Sequence, residues 1–435
     1  MKQTIRCGCI ALCTLLFSMN SAVHAAAWVN AISIPQGPAE SALEAKLRLG
    51  RAELAQRKFA KADALFMQAA TIDSKSALPW LSLAESARIR NEPAKTKEWL
   101  TQALKVAPRA PEALRAWASW HYAQAEYPKA LEFWAAALTV NPRDAGVLVD
   151  LGDYHLNIVD KPQQASEYYL KALDIDPKRA GALYALGIAY ARMGQTQEAL
   201  KQLLLAESLS PGKVLPVMAM ADIYASQKET KLALDAYDKV LRIQPKYYAA
   251  EMGRADLLLA NGESAKALAA YRSVAKAHPK LTGAFVGAGM AEQQLGQNDA
   301  ALRSYKVALS LQPDQVLALN NAAWIAAEQG DTVDRGLDWA KKAAALAPGD
   351  PRVLGTLAWV HHKRGETDEA LKQLTKLVEG IGKVQPESHY LLGIVLSEKG
   401  EGVRAAAALR EALRLNPSFG QATDANLRLR KLDKG

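Results

Sequence analysis

The sequence predicts an all-α solenoid, about eleven helix pairs stacked side by side and closed by a C-terminal capping helix. Three observations predict it. A pattern of small, large and proline positions returns about every 34 residues. Half of the chain is apolar and 23% is charged, with Ala and Leu abundant and Phe scarce, a helix-forming balance. At 435 residues the chain also exceeds one ordinary compact core.

Residues 1–25 read as a signal peptide rather than fold. "MKQTIR" is a short cationic start, and "CGCIALCTLLF" is an apolar run too short to span a bilayer. Val23 and Ala25 then stand at the −3 and −1 positions of a cut near Ala25. The expected location is the periplasm or otherwise outside the inner membrane. A lipoprotein is disfavoured, because Cys7 and Cys9 come too early and Cys13 follows the bulky Leu12. These three are the only cysteines, so the processed chain holds no disulfide, cysteine–metal site or cysteine nucleophile. No later run is long and apolar enough for an integral membrane span. Net charge is +9, but the basic residues are scattered, without a basic stripe interleaved with aromatics, which argues against nucleic acid.

Residues 26–42 contain Pro35, Gly37 and Pro38 and read as a leader. The repeats follow at 43–76, 77–110, 111–144, 145–179, 180–213, 214–247, 248–281, 282–315, 316–350, 351–384 and 386–419. The fourth and ninth carry one extra residue in the turn between helices. Position 20 is always small, as in Ala62, Ala130, Ala199 and Gly336. Position 24 is mostly aromatic or large, as in Phe66, Trp134, Tyr169, Tyr271 and Tyr305. Position 32 is proline in nine units, Pro211 among them. Each unit therefore reads as two helices, A and B. Small residues at positions 8, 20 and 27 let them approach, large ones fill the gap, and proline stops helix B. Gly194 is expected to supply a C-cap conformation, and Thr196 an N-cap oxygen for the next helix. Residues 420–435 read as the capping helix, with Ala422, Ala425, Leu429 and Leu432 on one stripe.

This pattern resembles the tetratricopeptide repeat family from residue 43 to 419. The resemblance implies a right-handed superhelix whose A helices line a concave groove. The stretches "LALNNAAWIAAEQGD", "GDPRVLGTLAWVHHKRGETDEALKQL" and "PESHYLLGIVLSEKGE" are similar to the C-terminal repeats of exported bacterial members. Those are associated with exopolysaccharide production and PEP-CTERM/exosortase systems. The implied role is a non-enzymatic scaffold for protein–protein interaction in the cell envelope, in exopolysaccharide export or assembly.

Positions 2, 5, 9, 12 and 13 share one A-helix face that packing between helices does not need. Two zones stand out on it. The middle zone holds Tyr184, Met218 and Met252 beside Asp222 and Asp256, an acidic and apolar groove for a basic or mixed peptide. The alternative is a solvated face without a ligand. The C-terminal zone holds Asn320, Asn321, Trp324, Trp359 and Tyr390. Its tryptophans form either an aromatic platform, for a peptide anchor or the face of a sugar, or packing between repeats. A polysaccharide bound through them is thus the second reading, beside a protein or peptide segment.

No catalytic constellation, metal site or cofactor is expected. His121, His155 and His361 occupy position 11, a packing slot. The adjacent His361 and His362 point about 100° apart on a helix and cannot chelate one ion together. Neither a phosphate-binding glycine loop nor a "GxSxG" elbow is present.

Overall fold

A computed structural model describes residues 41–330 and 332–433. The predicted signal peptide with its three cysteines, and all but the last two residues of the leader, lie outside the described residues. Twenty-three helices and no strand occur among the described residues. They fall into two compact units that meet in sequence at Ile223 and Tyr224.

In the first unit, helices pack in consecutive pairs. These are α1 (Ala42–Ala55) with α2 (Phe59–Ile72), α3 (Leu78–Ile89) with α4 (Pro93–Val106), and α5 (Pro111–Ala123) with α6 (Tyr127–Val140). Then come α7 (Ala145–Asn157) with α8 (Pro162–Ile175) and α9 (Ala180–Arg192) with α10 (Thr196–Leu209). Each pair also touches the next, as α2 does α3 and α8 does α9. Helix α11 (Val214–Ser226) carries the boundary between the units.

The second unit repeats the plan. Helix α12 (Thr230–Ile243) packs on α13 (Tyr248–Ala260), which pairs with α14 (Ser264–Ala277). The later pairs are α15 (Thr282–Gln294) with α16 (Asn298–Leu311), α17 (Val316–Gln329) with α18 (Val333–Leu346), α19 (Pro351–Lys363) with α20 (Thr367–Glu379), and α21 (Pro386–Glu398) with α22 (Gly402–Leu415). Helix α23 (Ala422–Leu432) closes the chain against α22 and buries Ala422 and Ala425.

The position-24 side chain is the knob that joins each pair. Phe66, Trp134, Tyr169, Tyr271 and Tyr305 are almost wholly buried. Position 8 of the same repeat supplies the hole. A Cβ added at Gly152 would come within 2.4 Å of the Tyr169 ring, and one at Gly289 within 2.6 Å of Tyr305. Position 20 is buried as an alanine beside them, as at Ala62 and Ala199.

The A–B turn is equally regular. Gly194 has φ +72, and Gln195 N–H reaches back to Tyr190 O at 2.9 Å, the six-to-one bond of a Schellman ending. The same left-handed slot holds a glycine in most repeats of the second unit. In the first unit it holds Arg57, Asn91, Ala125 and Asp160, each at φ between 54 and 58. Thr196 differs from its expected role. It is the first helical residue of α10, after an N-cap at Gln195, and its hydroxyl donates to Gly194 O at 3.4 Å. Helix α10 starts one residue earlier than a side-chain cap at Thr196 requires, so the turn is one residue shorter.

Candidate interaction face on the first helices of the repeats

Positions 5 and 9 of the A helices are not uniformly free. In the first unit, Tyr184 on α9 and Asp222 on α11 are half-buried, while Met218 on α11 is buried at 5% exposure. Met218 is thus a packing side chain rather than an open contact, which corrects its place in the groove. The more developed polar feature of this unit was not singled out from the sequence. Arg115 on α5 makes a bidentate pair with Asp150 on α7, with Nε at 2.7 Å and Nη2 at 3.0 Å from the two carboxylate oxygens. Its guanidinium lies over Gly146, where a Cβ would fall 2.3 Å from Nη1. An arginine at position 5 followed 35 residues later by an aspartate at position 6 was the signal available in the sequence.

Asp153, three residues beyond Asp150 on α7, accepts a hydrogen bond from Tyr169 Oη on α8 at 2.7 Å. Burial pushes the Asp153 carboxyl up to about 7; Asp150 adds to the rise, while Tyr169 and Arg115 oppose it. Asp256 on α13 repeats this arrangement in the second unit. Its carboxylate takes the Tyr271 hydroxyl of α14, and burial pushes it up to about 6 against that bond. Asp256 is therefore half-buried and engaged by its own repeat, not an open groove acid. Met252, one turn earlier, is half-buried.

The C-terminal zone is mostly closed by its own packing. Trp359 on α19 is 5% exposed and stacks on Trp324 of α17, with ring centroids 5.5 Å apart and planes 13° apart. Its indole N–H goes to Glu328 Oε1 at 2.7 Å, and Lys363 Nζ sits 4.8 Å from the ring centre. The stack joins repeats, and Trp359 offers no sugar-sized open face. Asn321 is buried and donates to Tyr305 Oη at 3.1 Å, so it fills a packing gap rather than meeting a ligand. Tyr390 on α21 is 4% exposed, and its hydroxyl donates to Asp424 of α23 at 2.7 Å. The chain's own cap thus occupies the end of that wall, which the sequence reading had counted as open.

Asn320 and Trp324 remain half-buried, four residues apart on one face of α17. Asn320 donates to Asn321 Oδ1 at 3.3 Å, but its own Oδ1 is buried without a hydrogen-bond partner.

The three position-11 histidines serve the fold. His121 Nδ1 meets Glu126 at 2.7 Å and His361 Nδ1 meets Glu366, each tying position 11 to the turn that follows. His155 stacks on Tyr168 at 5.2 Å. Among the described residues no three His, Cys, Asp or Glu side chains are grouped to hold a metal ion, and no helix is long and apolar enough to cross a membrane.

Comparison with known proteins follows this geometry. Family profiles described as tetratricopeptide repeat match residues 115–180, 218–281, 286–351 and 356–418, and a further one matches 168–201. No curated protein matches the sequence. Among solved structures, the Pseudomonas aeruginosa protein pilF is 20% identical at TM-score 0.42, over 49% of this chain and 97% of that one. A tetratricopeptide repeat protein from Parabacteroides merdae is 16% identical at TM-score 0.45, over 57% and 97%. YrrB, described as a TPR protein with an unusual peptide-binding site, is 23% identical at TM-score 0.35, over 43% and 95%.

Proposed function

The chain belongs to the tetratricopeptide repeat family, and from that premise we propose an exported, non-enzymatic scaffold that binds a protein partner through the first helices of its repeats. The observation that carries this reading is the pair on α17. Trp324 is half-buried on the A-helix face, with the half-buried Asn320 one turn before it. A peptide supplies an apolar side chain that such an aromatic position on the A-helix face can anchor. Periodic helix pairs with closed position-24 packing supply a stiff support for such a contact. No cofactor enters this reading.

Export is proposed on the cationic start, the short apolar run and the small residues at Val23 and Ala25. A place in an exopolysaccharide export or assembly machine is proposed on the likeness of the last three repeats to exported bacterial members. Two measurements test the reading. A photo-crosslinking residue at position 324 in the full chain, expressed in its own cells, is expected to give a protein adduct that the same residue at position 204, on α10, does not. Equal labelling at both, or none at 324, refutes the binding face. Mass spectrometry of the isolated protein is expected to find its first residue at Ala26, and an intact Met1 start in the cytoplasm refutes export.

A further inference from the structure

Helix B of each repeat turns positions 22, 25, 26 and 29 to one side, an arc of about 100°. Positions 20, 24 and 27 lie opposite and are buried, as Ala301, Tyr305 and Ala308 are on α16. In the second unit the outward side is basic. Arg303 and Lys306 stand on it in α16, Lys341 and Lys342 in α18, and Lys372 and Lys376 in α20, all exposed. Helices α14 and α22 add Arg272, Lys276, Arg410 and Arg414, also exposed. Five successive B helices thus carry two cations each, against the acids Asp338, Glu379 and Glu411. Helix α12 is balanced, with Asp235 and Asp238 against Lys239 and Arg242. In the first unit the same positions of α2 to α10 hold Lys105, Lys171 and Lys201 against Glu98, Glu132, Glu167 and Asp174. The basic residues look scattered in the sequence because each repeat supplies only two of them.

The packing holds these helices side by side. Glu292 on α15 is buried at 3% exposure. One of its oxygens accepts from Arg272 Nη2 of α14 at 2.8 Å, and the other from Ser304 of α16 at 2.6 Å. Lys342 of α18 reaches Asp314, just past the end of α16, at 2.8 Å. Arg364, in the turn before α20, donates to Asp334 at the start of α18 at 2.8 Å. Of the six cations on α16, α18 and α20, only Lys342 and Lys372 make ion pairs among the described residues, Lys372 with Glu369 at 3.9 Å.

Such a face fits an anionic surface, and its composition selects which one. Nucleic acid and sugar chains are gripped through aromatic faces as well as charge. Positions 22, 25, 26 and 29 of α14 to α22 hold no aromatic residue. A folded acidic partner needs cations in fixed register with its carboxylates. Here the two cations of a helix are four residues apart on α14, three on α16, adjacent on α18 and four apart on α20. Headgroups in a fluid bilayer move to meet whatever spacing they find, and clustered lysines and arginines suffice to attract them. We propose that the outer side of α14 to α22 rests on an anionic lipid surface, with the six cations of α16, α18 and α20 at its centre. It uses the B helices alone, so it is independent of the partner face on α17.

Sedimentation of the full chain at low salt tests this, with vesicles of phosphatidylglycerol and phosphatidylcholine in equal parts and vesicles of phosphatidylcholine alone. The variant Arg303→Gln, Lys306→Gln, Lys341→Gln, Lys376→Gln removes four charges from the face. The control Lys61→Gln, Lys105→Gln, Lys171→Gln, Lys201→Gln removes four from B helices of the first unit. Each cation near such a surface strengthens attachment about fivefold. The first variant is therefore expected to bind the anionic vesicles at least about tenfold more weakly than wild type, and the control within about twofold of it. Both variants keep residues 1–25, so that segment does not produce the difference. Equal losses in the two variants, or no loss in the first, overturn the proposal, as does equal binding of wild type to the two kinds of vesicle. Alginate in place of vesicles separates a soluble polyanion from a bilayer. If the first variant loses alginate but keeps the vesicles, a polymer chain occupies the face and the proposal falls.

Discussion

Replacing Asp153 by asparagine should stabilise the repeats around it, and only at high pH. Four groups on three helices face that carboxyl. Tyr169 Oη donates to it at 2.7 Å, Asp150 lies one turn away on α7, and Arg115 reaches in from α5 but directs Nε and Nη2 to Asp150. Tyr122, also on α5, faces it with a hydroxyl that burial pushes well above its usual range. Burial outweighs the favourable contacts and lifts the Asp153 carboxyl from 3.8 to about 7. The sign follows. Between these two values the folded state keeps a proton that the unfolded state has released, so stability falls as pH rises. It is complete below about pH 4 and lowest above about pH 7. A shift of about 3 units at about 1.4 kcal/mol each sets a ceiling near 4 kcal/mol. Partial solvent contact at this half-buried residue reduces the expected gain to about 2 kcal/mol. Asparagine keeps an acceptor for Tyr169 and carries no charge. Native-state amide exchange over residues 145–175, corrected for intrinsic rates, should show Asp153→Asn more protected than wild type at pH 8, by a smaller margin at pH 5, and equal to it below about pH 4. A variant less protected at pH 8 than at pH 5, relative to wild type, would mean that Arg115 holds the carboxylate as a wanted anion, and the reasoning would fail.

Three further outcomes follow from the packing. Ala125 sits at φ 58, where an L side chain costs about 1 kcal/mol, so Ala125→Gly should raise the urea midpoint of the first unit modestly, by about 0.5 kcal/mol, and Ala125→Val should lower it. Gly289→Val pushes a side chain into the Tyr305 ring, 2.6 Å from its first carbon, and should cost about 2–3 kcal/mol, read as faster exchange confined to α15 and α16. Arg115→Met leaves Asp150 buried without its bidentate partner and should cost about 3 kcal/mol, whereas the double variant with Asp150→Leu should recover most of it in the same urea titration.

Much of the fold was legible because a repeat reports its own geometry many times. Small residues at positions 8 and 20 and bulky ones at 24 recur, and each recurrence is the same contact, as Tyr169 on Gly152 and Tyr305 on Gly289 display. The functional face was less legible. Trp324 and Trp359 share one slot, yet Trp359 is buried and Trp324 only half-buried, a difference the repeat period does not carry. Asp256 reads as a groove acid until the position-24 tyrosine is seen to reach across its own pair and take it, as Tyr169 takes Asp153.

The amino-acid order alone determined the helix pairs, their count and the small-to-large interlock, because these rest on contacts within a repeat or between neighbours at a constant spacing. Only the tertiary structure decided which side chains of the A-helix wall remain open. Exposure there depends on how closely successive A helices approach and on what α23 covers, as for Tyr390 and Asp424, and both are sums over several repeats. A periodic pattern places a residue on a face. Whether that face meets water is settled by the elements packed above it.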